Sequence, residues 1–164
     1  MKKLTALLLA LLLALLAAGC GSDSLDTHIY FNFEPADVAQ AEMFRYAGTA
    51  DGAEKKTVTA EEDIRLLIGM LEQLPLDVSS VEQTVPAGMF SLRFTMQDGG
   101  TLEVVYAGYG EGGGRVARAP DHVPLFTSDG DLGRYWDDLN GTYEAVPAAE
   151  SELPKFPDGS VPLA

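Results

Sequence analysis

Between residues 90 and 106 the chain alternates. Phe90, Leu92, Phe94 and Met96 are apolar and Ser91, Arg93, Thr95 and Gln97 more polar; Asp98-Gly99-Gly100 interrupts, and Leu102, Val104 and Tyr106 resume the apolar beat. A period of two places successive side chains on opposite faces of a strand, and Asp-Gly between two such runs is a strong hairpin signal. The segment is therefore expected to be a β-hairpin with one apolar and one more polar face. The apolar face of such a sheet needs a second layer over it.

A helix to supply that layer is expected from residue 59 onward. Thr59-Ala60-Glu61-Glu62 has the spacing of a capping box, in which the Thr59 hydroxyl accepts from the Glu62 amide and the Glu62 carboxylate answers the Thr59 amide. Ile64, Leu67, Ile68 and Leu71 follow at i, i+3, i+4 and i+7, one helical face, and Pro75 ends the pattern. A second helix is expected over Leu132, Tyr135, Trp136 and Leu139, capped by Ser128 and Asp131 and ended by Asn140-Gly141. The fold class is thus α+β: a small antiparallel sheet with one face covered by one or two helices.

The remaining segments carry weaker patterns. His28 to Phe33 is rich in aromatic and β-branched types and reads as a first strand, broken by Glu34-Pro35. Val38 to Tyr46 fits neither period cleanly, with a strand slightly preferred over a short helix, and Gly48 to Lys56 reads as a turn-rich connection. Beyond a glycine-rich loop, Arg115 to Arg118 reads as a short strand. From Ala145 the chain has Pro147, Pro154, Pro157 and Pro162 and little periodicity, so residues 143–164 are expected to be an extended or disordered tail.

The amino-terminal end is organised differently. Met1-Lys2-Lys3 is a short positive start, and every residue from Leu4 to Ala18 except Thr5 is Leu or Ala. Those fifteen residues would rise only about 22 Å as a helix, short of a hydrocarbon core of about 30 Å, so residues 1–19 read as an export signal and not as a permanent span. Leu16-Ala17-Ala18-Gly19-Cys20 resembles the bacterial lipobox, in which small residues precede an acylated cysteine. The resemblance implies lipidation of Cys20 as the first mature residue. Two acyl chains hold a protein to a bilayer where one chain exchanges. Residues 20–27 then form the lipidated cysteine and a flexible tether, mostly small and polar. Residues 28–142 form a single α+β domain.

Removing 19 of 164 residues leaves 145, enough for one apolar core. Because Lys2 and Lys3 leave with the signal, 9 of the 11 basic residues remain against 25 acidic ones, a formal charge of −16. That balance argues against a nucleic-acid partner. The acids are scattered, which suits a solvated surface. Cys20 is the only cysteine, so neither an internal disulfide nor a cysteine-cluster metal site can form.

Candidate chemistry in the mature chain has ordinary explanations. Gly108, Gly110 and Gly113 spell G-x-G-x-x-G, but nucleotide binding needs a helix to follow, and Arg115-Val116-Ala117-Arg118 looks extended, so a flexible connection is expected. Asp129, Asp131, Asp137 and Asp138 are the densest acidic group, yet an EF-type loop starting at Asp129 would have Gly133 and Arg134 at its fifth and sixth positions. His28 and His122 are isolated, and no serine sits in a G-x-S-x-G elbow. Glu61, Glu62 and Asp63 are consecutive and suit a helix dipole more than a facing catalytic pair. Trp136 beside Tyr135 falls at helical spacing and reads as core. No catalytic residue, cofactor or metal ligand is assigned, leaving Cys20 as the one assigned site.

Beyond the lipobox, the opening aromatic run, Lys55-Lys56-Thr57-Val58-Thr59 leading into Glu61-Glu62-Asp63-Ile64, and the later Asp98-Gly99 hairpin resemble small lipoproteins of Gram-positive bacteria over residues 28–142. The resemblance implies a cell-membrane protein, lipid-anchored through Cys20 on the extracytoplasmic face. The first expectation is a non-enzymatic binding or accessory module, whose partners are the membrane and an envelope protein or cell-wall ligand. The alternatives are an envelope-acting hydrolase with a carboxylate-based site assembled only in the fold, and a structural or sensory lipoprotein.

Overall fold

The computed structural model describes residues 28–46, 52–77, 88–110, 113–118, 125–127 and 132–155. Among these, strands β1 (Val38–Tyr46) and β2 (Glu54–Val58) precede helix α1 (Glu61–Gln73). Then come β3 (Leu76–Asp77), β4 (Gly88–Met96), β5 (Thr101–Gly110), β6 (Gly113–Arg118), β7 (Leu125–Thr127), helix α2 (Leu132–Asp138) and β8 (Val146–Pro147). The strands form one sheet of eight in the order β3-β7-β6-β5-β4-β1-β2-β8, every neighbouring pair antiparallel. The α+β class expected from the sequence is the one observed.

The β4–β5 hairpin forms where the alternation places it, with Phe94 opposite Leu102, Arg93 opposite Glu103 and Leu92 opposite Val104. Its turn uses the chemistry of Asp98-Gly99. The Gly99 amide donates to the Met96 carbonyl at 3.0 Å, Gly99 sits at φ +88°, and Asp98 Oδ1 accepts from the Gly100 amide at 2.8 Å. Glycine occupies the left-handed region without the Cβ clash other residues meet there.

Alternation in β1 sends neighbouring residues to opposite faces. Ala41 and Met43 join a large core with Leu92, Phe94, Val104, Tyr106 and Val116 of the sheet, Ile64, Leu67, Ile68 and Leu71 of α1, and Leu132 and Trp136 of α2. Phe44 and Tyr46 join a second, smaller core with Ala53, Met89 and Leu153. The stripe expected on α1 is the buried one. Two strands, β5 and β6, meet where the glycines cluster: a Cβ on Gly114 would lie 2.6 Å from Cζ of buried Tyr106, so the ring of Tyr106 occupies the space that Gly114 leaves open.

Several expectations are corrected. Residues 28–34 are not a strand; Phe31 and Phe33 pack their rings on each other at 5.2 Å and on Phe94 at 5.9 and 6.2 Å. Strand formation begins instead at Val38, after a 3₁₀ turn over Pro35–Asp37. The connection expected over Gly48 to Lys56 holds the first residues of β2. The Thr59 capping box is absent, because the N-cap is Ala60, one residue later. Tyr143 supplies the polar contacts there, its hydroxyl accepting from the Ala60 amide at 3.3 Å and donating to Asp63 Oδ2 at 2.7 Å. The glycines Gly108, Gly110 and Gly113 lie in β5 and β6 and not in a free loop, with Gly110 paired to Gly113. Ser128 and Asp131 lie outside the described residues, while α2 does give way to a 3₁₀ turn over Leu139–Gly141.

Residues 143–155, expected in an extended or disordered tail, run back along the domain. Val146 and Pro147 pair with Lys55 and Glu54, the Ala148 amide donates to the Ala53 carbonyl at 2.9 Å, and Leu153 is 1% exposed. Residues 156–164 lie outside the described residues.

Within the second core, the Tyr46 hydroxyl is hydrogen-bonded to Ser91 Oγ at 2.9 Å, and burial pushes its phenol up to about 12 despite that bond. The unfolded phenol ionises near 10, so between pH 10 and 12 the unfolded chain gives up this proton first and folding loses free energy as pH rises. Two pH units at this site amount to roughly 2–3 kcal/mol, fully present below pH 10. Chemical denaturation of wild type and Tyr46→Phe at a series of pH values should show a steeper loss above pH 10 in wild type. Superimposable alkaline profiles would contradict the assignment.

Candidate binding cleft

At the turn end of the β4–β5 hairpin the amino-terminal segment crosses the sheet. The Gln97 amide donates to the Asp37 carbonyl at 2.8 Å, tying the 3₁₀ turn of Pro35–Asp37 to the hairpin turn. Between the two lies a cavity of about 460 Å³. Phe33, Met96 and Leu102 supply its apolar surface, backed by the ring contacts of Phe31 and Phe94. Asn32, Asp37, Gln97, Asp98, Gly100 and Thr101 supply its polar rim. The size falls within the range of small-ligand sites, and an apolar floor with a few convergent polar groups is their usual composition.

Both rim carboxylates are held by local turns. Asp37 Oδ2 accepts from the Glu34 amide at 2.9 Å, and Asp98 Oδ1 accepts from the Gly100 amide at 2.8 Å. Their positions are therefore set before any ligand arrives.

A second polar arrangement crosses the side of the sheet opposite to Ala41 and Met43 of β1. Lys55 Nζ donates to Glu42 Oε1 at 3.0 Å, Arg93 Nη1 to Glu42 Oε2 at 3.3 Å and Arg93 Nε to Glu103 Oε1 at 2.8 Å, so charges alternate across β2, β1, β4 and β5. The carboxy-terminal segment closes the row. Lys55 reaches Glu152 Oε1 at 2.6 Å, and Arg93 Nη2 donates to the Glu152 carbonyl at 2.8 Å. The bond to Glu152 holds the Lys55 ammonium above its usual range and, reciprocally, the Glu152 carboxyl below its own. With each cation matched by acids, the row is a structural tie between sheet and tail.

The third arrangement is at Trp136. Its buried ring has Lys56 Nζ 4.5 Å from the centroid and Arg45 Cζ at 4.7 Å, and its carbonyl accepts from Lys56 Nζ. Burial, with Arg45 nearby, pulls Lys56 below the ordinary lysine range. Cation–π contact of this kind compensates part of the cost of burying an ammonium group.

The residues weighed in the sequence are dispersed. Cys20, His122, Asp129 and Asp131 lie outside the described residues. Asp137 and Asp138 face Arg45 at 3.9 Å and Arg134 at 3.8 Å, Glu61 pairs with Arg65 at 2.6 Å, and Asp63 is held by Tyr143. His28 stacks edge-on to Tyr30 at 6.5 Å, its buried Nδ1 without a hydrogen bond among the described residues. Trp136 is core, as its spacing indicated. Among the described residues, no three His, Cys, Asp or Glu side chains gather as a metal site, and no helix is long and apolar enough to cross a membrane.

The cleft escaped sequence reasoning because its two walls are some sixty residues apart and neither carries a motif. The ionic row had a readable signal: Arg93 and Glu103 are equidistant from the Asp98 turn and so face each other across the hairpin. No protein-family model, curated protein or solved structure matches the chain.

Proposed function

We propose that this chain is a lipid-anchored extracytoplasmic lipoprotein whose domain is a non-enzymatic binding module, contacting an envelope component through the cleft between Phe33 and the β4–β5 turn. The observation that carries the binding reading is the cleft itself, an apolar floor with a preorganised polar rim. In this reading α1 and α2 lie over one face of the sheet, and the carboxy-terminal segment ties down the other, which leaves the hairpin end open to a ligand. The leader, the lipobox resemblance of Leu16 to Cys20 and the likeness to small Gram-positive lipoproteins support the anchor and the location.

The test uses the intact chain in a bacterial host, with a photo-crosslinking residue at Gln97 in the cleft or at Leu66, which is 61% exposed on α1 and does not line it. The expected result is a discrete adduct from Gln97 and none from Leu66. Identical adducts from both positions, or none from either, would contradict the cleft assignment. Palmitate labelling of the same chain should vanish in Cys20→Ala; label retained in that variant would contradict the anchor.

A further inference from the structure

We infer that the cleft selects a small organic cation, an ammonium group carried on an aromatic or branched alkyl body. The inference rests on the binding reading above and adds the class of ligand. Among the described residues that line the cleft, the charged ones are Asp37 and Asp98, and none is a lysine, arginine or histidine. Each carboxylate is oriented by one oxygen in its turn, leaving Asp37 Oδ1 and Asp98 Oδ2 without a hydrogen bond among the described residues. An ammonium donor finds both acceptors and an opposite charge there, whereas an anion would meet two like charges, and a neutral hydroxyl could donate to a carboxylate but would lack the charge attraction.

The apolar side of the ligand follows from the floor. Phe33 is held at 6.2 Å from Phe94 and 5.2 Å from Phe31, so its ring is a fixed surface beside the rim, and Met96 and Leu102 continue it. Aromatic rings attract ammonium groups as well as apolar bodies, so the ring and the carboxylates favour the same ligand. A bare divalent cation is a poorer match, because calcium takes six to eight oxygens and no three acids converge among the described residues. The net charge of −14 adds a long-range field that draws cations in.

The experiment titrates the full chain in detergent micelles with three probes of one shape, phenethylammonium, 2-phenylethanol and 3-phenylpropionate, following the amide signals of Phe33, Gln97 and Thr101. Exposed ion pairs are individually weak, so two together should favour the ammonium probe by about tenfold, and raising salt from about 0.05 to 0.5 M should erase most of that preference. Asp37→Asn combined with Asp98→Asn keeps an acceptor oxygen for each turn, and should lower ammonium affinity about tenfold while leaving the alcohol unchanged. If the alcohol or the acid perturbs the same amides as strongly as the ammonium, the cation assignment is overturned and the cleft reading stands. If no probe perturbs them, both are overturned.

Discussion

Trp136→Ala is expected to destabilise the fold by roughly 3–5 kcal/mol, the range for deleting a large buried aromatic side chain. The ring is 1% exposed, packs against Phe90 with centroids 6.4 Å apart, and belongs to the core that joins both helices to the sheet. Its loss has a second consequence. Lys56 is fully buried beneath it on β2 and donates to the Trp136 carbonyl, and alanine would remove the π face that partly compensates that ammonium. Trp136→Phe keeps an aromatic face and should recover about half of the loss. Urea denaturation with an unchanged slope is the check; a cost below about 1 kcal/mol for the alanine variant would mean that α2 is not packed as described.

Leu153→Ala is expected to cost about 2–4 kcal/mol, although it lies in a segment whose prolines suggest no structure. Leu153 is 1% exposed among Phe44, Tyr46, Ala53 and Met89, and it is the large apolar side chain by which residues 145–155 enter the second core. Glu152→Gln should cost clearly less. Its carboxylate is well exposed to solvent, and the Arg93 contact uses its backbone carbonyl, which the substitution keeps. Denaturation midpoints of the two variants decide the matter. Equal losses would make the ionic row, and not the leucine anchor, the element that holds the segment.

The two elements most legible in the sequence were those whose burial follows a period. The hairpin was readable because Phe90 to Tyr106 alternates through an Asp-Gly turn, and α1 because Ile64, Leu67, Ile68 and Leu71 fall on one helical face. Strand β2 was not readable, since its inward residue Lys56 is a charge, and the π face of Trp136 that helps make its burial tolerable is supplied by a residue eighty positions away. The run from His28 to Phe33 has the composition of a strand, but its aromatic rings are satisfied by packing on Phe94 without a backbone ladder. The start of α1 was misread by one residue because its polar partner, Tyr143, arrives from far along the chain. Leu153 is a single anchor, and a single residue has no period to detect. The cleft was illegible for a related reason: it exists only where the segment around Phe33 to Asp37 meets the turn at Gln97 to Thr101.

That cleft is where the domain is proposed to meet its ligand, and blocking it is the most direct test. Thr101 lines the cleft from the first position of β5 and is exposed, so Thr101→Trp adds bulk there with a side chain well suited to a strand. Stability should stay within about 0.5 kcal/mol of wild type, as for other surface changes. With the photo-crosslinker at Gln97, the blocked chain should lose the adduct that the open chain forms. An adduct of undiminished yield in Thr101→Trp would contradict the claim that ligand enters this cleft.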